Sequence, residues 1–156
     1  MRGYLINPFD RTINEVSGDF TNYKTIYPAI SGPEHQVDLF TVMQITDQGD
    51  TVYLDDEGLL QEGRALWRFR IDEPGRYYAG RGLVLGSNEE GDAAEPSRMI
   101  SLAWLQREVE FTDLESTGEL EPSREAMIDH PVLGRVPALI GGNAIVRPRQ
   151  AAEGGA

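Results

Sequence analysis

The sequence has no cysteine. That excludes a disulfide framework, a zinc–thiolate cluster, an iron–sulfur site and a thiol nucleophile. Lysine is nearly missing: Lys24 is the only one, and the other 13 basic residues are arginines. Long apolar runs are missing too. The apolar stretches are short, such as Leu83–Leu85 and Ala138–Ile140, far from the ~20 residues of a membrane-spanning helix. Residues 1–16 lack the apolar stretch of a secretory signal, so the expected location is cytoplasmic. Positive charge is scarce: 14 Lys and Arg face 26 Asp and Glu, a net charge of −12. This balance opposes binding to nucleic acid or to an anionic membrane surface, and it permits a basic protein partner.

What remains is a globular composition, 40% hydrophobic and 26% charged over 156 residues. A chain of this length suits one domain with a sizeable core, expected over residues 1–146, with a disordered tail over 147–156. The charge is even: residues 1–78 and 79–156 each carry 7 basic and 13 acidic residues, so no acidic tail is set apart.

Strand signals dominate. Gly3–Asn7, the turn Pro8–Arg11 and Thr12–Val16 read as a first hairpin. Val37–Ile45 alternates, with Val37, Leu39, Thr41, Met43 and Ile45 on one face. It turns through Gly49 and returns as Thr51–Leu54, the clearest hairpin in the chain. Ala65–Ile71 alternates again, placing Leu66, Arg68 and Arg70 on one face and Trp67, Phe69 and Ile71 on the other. Gly82–Leu85 is a compact apolar strand, Ser87–Ser97 a loop and Asp113–Glu125 an acidic, solvated stretch. In Pro131–Val146, Gly141-Gly142-Asn143 predicts a turn between Val136–Ile140 and Ala144–Val146, against which Pro137 weighs. Helical spacing of Phe20, Tyr23, Lys24 and Tyr27 predicts a helix capped by Asp19 and limited by Pro28. Ser101–Glu108 predicts a second, capped by Ser101, although Met99–Phe111 also reads as a strand. The expected class is α+β, a largely antiparallel sheet of about six to eight short strands with one or two short helices.

No pattern names a reaction. Gly80–Gly86 lacks the spacing of a phosphate loop, and its glycines flank a strand, so packing is the better reading. Glu34-His35 with Asp38, and Asp129-His130, could each give an N/O metal pair where a metal site needs three or four ligands; loop histidines are the simpler reading. Asp55-Asp56-Glu57-Gly58 lacks the alternation of a calcium loop. No serine sits in G-x-S-x-G. No metal or cofactor is therefore expected, and whether the protein is an enzyme stays open, with non-enzyme favoured. Among the aromatic residues, Tyr27, Trp67, Phe69, Tyr77, Tyr78 and Trp104 read as core. Arg68 and Arg70 share a strand face and are the candidate ligand-binding residues, able to meet a carboxylate or phosphate or to pair with acids of a neighbouring strand. Glu89, Glu90 and Asp92 are the candidate partner-binding residues, presenting carboxylates to a basic surface.

Tyr4-Leu5-Ile6-Asn7-Pro8, the stretch Thr51–Gly58 ending in Asp55-Asp56-Glu57-Gly58, and Gly82–Asn88 together resemble small proteins of unknown function from phages and mobile elements, over residues 4–110. The resemblance implies no activity and carries over no functional residue. It favours a small acidic accessory protein that binds a protein partner. The alternative is a small-ligand-binding protein or an enzyme using loop carboxylates. A third reading is a homo-oligomer whose late apolar segment completes a neighbour's sheet.

Overall fold

The structure, a computed structural model, describes residues 1–33, 35–72, 74–140 and 142–149. Its first hairpin pairs β1 (Arg2–Asn7) with β2 (Thr12–Ser17). The second pairs β3 (Phe40–Gln44) with β4 (Thr51–Asp55), turning through Gly49 at φ +87°. A central strand, β7 (Gly82–Ser87), lies antiparallel between β1 and β4. The two-residue β8 (Ala93–Ala94) pairs with the end of β7. These six strands form one sheet in the order β2-β1-β7-β4-β3, with β8 off that path. A second sheet has the order β12-β9-β5-β6, from β5 (Ala65–Phe69), β6 (Tyr78–Ala79), β9 (Val109–Leu120) and β12 (Ala144–Pro148). A third is the isolated pair β10 (Arg124–His130) and β11 (Gly134–Ile140).

The six-stranded sheet is buried on both faces at its centre. On one face, Tyr4, Ile6, Val52, Leu54 and Val84 pack with Trp67, Phe69 and Tyr78 of the second sheet. On the other, Tyr53, Leu83 and Leu85 pack with Phe20, Ile26, Ile30 and Val37. Burial on both faces is why Leu83-Val84-Leu85 is continuously apolar rather than alternating. The flanking glycines are packing devices. A Cβ on Gly82 would lie 2.8 Å from Cζ2 of Trp67, and one on Gly86 would lie 2.1 Å from the carbonyl oxygen of Glu95. The indole Nε1 of Trp67 donates to the carbonyl of Gly80 at 2.9 Å, so this large buried ring leaves no polar atom unpaired. Asp50, fully buried, accepts from Thr46 Oγ1 at 2.6 Å and from the backbone N–H of Ser97 at 2.7 Å, pinning the 46–50 turn to the chain before the second helix.

The antiparallel, sheet-rich character with two short helices agrees with the expected class. The strand count does not: among the described residues, twelve strands in three sheets replace about six to eight in one. The first helix also differs. A 3₁₀ turn at Tyr23–Thr25, capped by the Asn22 side chain, leads into α1 (Ile26–Ile30), and Asp19 caps neither. Pro28 sits inside α1, in the first turn, where its missing N–H has no intrahelical partner to lose. Val37 packs with Phe20, Ile26 and Tyr53 and Leu39 is exposed, so of the expected shared face only Met43 and Ile45 pack on the core between the two sheets. α2 (Leu102–Glu108) matches the expected second helix, with Ser101 Oγ accepting from the backbone of Trp104.

The largest departure is the acidic stretch 113–125. Most of it belongs to β9, which runs for 12 residues and buries Ser116. Its Glu115 is neutralised by Arg147, whose guanidinium also meets Glu62, both at 2.9 Å. Residues 109–148 form one long hairpin in two stages. β9 pairs with β12, the chains cross a joint where the N–H of Glu121 bonds the carbonyl of Asn143 at 2.8 Å, and β10 and β11 continue beyond it. Of the expected turn Gly141-Gly142-Asn143, Gly141 lies outside the described residues, and Gly142 and Asn143 lie at the joint and not at a hairpin tip; β11 pairs back to β10, and the tip is Pro131-Val132-Leu133. Gly142 suits the joint because its φ is +74° and a Cβ there would lie 2.9 Å from Ser123 Oγ. β12 extends to Pro148, past the expected start of the tail, and residues 150–156 lie outside the described residues.

Candidate functional site

Two features stand out from the packed body: the β10–β11 arm and a cleft at its root. The arm extends about 24 Å beyond the joint at 3.4 Å per residue. Each of its strands packs chiefly on the other. Met127, Ile128, Val132, Leu133 and Leu139 are exposed, with Val132 at 84% and Leu139 at 78%. The tip is held by His130, whose Nδ1 accepts from the backbone N–H groups of Val132 at 3.1 Å and Leu133 at 3.0 Å. A ring nitrogen that satisfies two turn donors explains a histidine here without a metal. Pro137 is tolerated because β11 has a free edge in this two-stranded sheet.

The cleft has a volume of about 260 Å³. Thr41 and Met43 of β3 and Leu54, Asp55 and Asp56 at the end of β4 form one side. Arg76, Tyr77, Tyr78 and Ala79 form another, and Gly142, Asn143 and Ala144 of the joint complete it. Asp55 is not available to a ligand. Its Oδ2 lies 3.2 Å from Arg64 Nη2 and 3.2 Å from His35 Nε2, and both carboxylate and guanidinium are buried. Gln61 organises this cluster: its Oε1 accepts from Arg64 Nε at 2.8 Å and its Nε2 lies 3.1 Å from His35. Ser116 Oγ accepts from the backbone of Arg64 and donates to the carbonyl of Gln61. The cluster ties β4, β5, β9 and the 31–37 loop together, so it is a strut.

Tyr78 is similarly committed, donating to Asp72 Oδ2 at 2.7 Å. Burial pushes its hydroxyl well above the usual tyrosine range, and the adjacent Asp72 raises it further. Asp56, Arg76 and the Tyr77 hydroxyl have no side-chain partner among the described residues.

The residues singled out from sequence fall elsewhere. Glu89, Glu90 and Asp92 are all exposed on the turn between β7 and β8. Asn88 Oδ1 gathers this turn by accepting from the backbone of Glu90 at 3.0 Å and of Asp92 at 2.9 Å. Arg70 lies 2.7 Å from Glu110 of β9, the neighbouring strand. Arg68 donates to the carbonyl of Asp72 at 3.1 Å. The two arginines thus serve the sheet and its following turn, and the structure does not bring them to the cleft. Among the described residues, no group of three or more His, Asp or Glu could hold a metal ion, and no helix is long and apolar enough to cross a membrane.

The arm's first strand carries no alternating signal, because Arg124–His130 groups Ala126, Met127 and Ile128 between polar pairs; only the Pro131 turn marks its tip. The cleft could not be read from sequence, since Asp56, Arg76 and Asn143 come from segments far apart in the chain. No family model matches the chain, and neither a curated protein nor a solved structure matches it.

Proposed function

We propose that this is a small acidic accessory protein, non-enzymatic, that binds a basic protein partner through its arm. Its assignment to a phage or mobile-element type rests on the sequence resemblance alone. The observation that carries the reading is the arm's apolar surface. A two-stranded hairpin is marginal in water, yet this one displays Val132, Leu133 and Leu139 to solvent. Such side chains gain most when a partner covers them, at ~25 cal/mol per Å² of apolar area. The net charge of −12 and the acidic turn at Glu89, Glu90 and Asp92 favour a partner with a basic rim and speed its approach.

The test is capture of partners from source cells by the wild-type chain, by Val132→Asp/Leu133→Asp, and by Glu89→Gln/Glu90→Gln/Asp92→Asn. The reading expects one specific basic partner. The tip variant loses it, and the neutralised turn or high salt weakens it. Retention by the tip variant contradicts the reading.

A further inference from the structure

We infer that the cleft at the root of the arm is a binding site for a small zwitterion with an apolar body, the class of α-amino acids with apolar side chains. The inference does not depend on the arm's partner. Its volume of about 260 Å³ lies just under the roughly 300–1,000 Å³ of drug-sized sites, which limits the ligand to a small metabolite. The walls are apolar and aromatic: Met43, Leu54 and Tyr77 offer a seat for a hydrocarbon or ring.

The charges decide the class. Asp55 lines the cleft but is consumed by Arg64 and His35, and the Tyr78 hydroxyl is consumed by Asp72. What remains is one carboxylate, Asp56, and one guanidinium, Arg76, with neither paired among the described residues. A simple cation would be drawn to Asp56 and repelled by Arg76. A simple anion would meet the reverse, inside the field of a chain with net charge −12. A molecule carrying both charges satisfies both groups, its ammonium on Asp56 and its carboxylate on Arg76, whose planar fork suits a carboxylate. Asn143 reaches the same cleft from the joint, so an occupant touches both the body and the base of the arm.

Isothermal titration of the full chain with L-phenylalanine and L-leucine, and with phenethylamine and 3-phenylpropionate as single-charge analogues, tests this. The amino acids should bind, and each single-charge analogue should bind roughly tenfold more weakly or not at all. Asp56→Asn and Arg76→Gln should each weaken amino-acid binding by roughly tenfold or more. Both residues are exposed, so the variants should keep the wild-type melting temperature. Absence of binding by either amino acid, equal binding by the amine alone, or binding unchanged in both variants would each overturn the proposal.

Discussion

The body and the arm are built on opposite terms. In the body, β4 and β7 are covered on both faces, and Val52, Leu83, Val84 and Leu85 are wholly buried. In the arm, the same backbone geometry continues with side chains that are mostly exposed. Backbone pairing alone therefore does not account for stability. The body holds because apolar area is removed from water on each side of its sheet, whereas the arm has only its partner strand and the joint. A segment built so is suited to acquire its missing cover from another molecule.

The comparison breaks most severely at the centre of the body. Trp67→Ala leaves a large cavity between the two sheets and should cost about 3–5 kcal/mol, read from urea unfolding. Arg64→Met should cost about 3 kcal/mol, because it leaves the Asp55 carboxylate buried with only His35 beside it. A loss under about 1 kcal/mol would show that the strut is solvated instead.

A smaller effect is read through pH. Burial raises the hydroxyl pKa of both Tyr53 and Tyr78; the hydrogen bond with Thr51 opposes this at Tyr53, and Asp72 reinforces it at Tyr78. The folded chain then keeps these protons at a pH where the unfolded chain has released them. Their contribution is complete below about pH 10 and is lost as pH rises through the raised folded values. The urea midpoint should therefore fall above about pH 10, and Tyr78→Phe should make that fall shallower. An unchanged fall in the variant would place the alkaline loss elsewhere. Smallest of all is the tip: Val132→Asp should change stability by no more than about 0.5 kcal/mol, since its side chain contributes little to the core.

The same contrast governs what the sequence made legible. Local signals worked where neighbours in sequence are neighbours in space: the hairpin through Gly49, the Ser101 cap of α2, and the alternation of Trp67 and Phe69. They failed where pairing is long-range. Asp113–Glu125 looked solvated because the arginine that neutralises Glu115 lies 32 residues away. Gly142 carries a strong turn signal, but β9 and β10 had already supplied partners for β12 and β11, so the glycine serves a joint. Arg70 was legible as a strand-face cation, and its partner Glu110 was foreseeable only as an acid on a neighbouring strand. Asp56 and Arg76 line one cleft that no local pattern encodes.

The most direct test of the contrast is native-state hydrogen exchange of the free chain, comparing amides of β10 and β11 with those of β7 at several protein concentrations. The account predicts that β7 amides exchange only through global unfolding, while arm amides exchange far faster at every concentration. Arm amides as protected as those of β7 would contradict it, because the arm would then already be covered in the free protein.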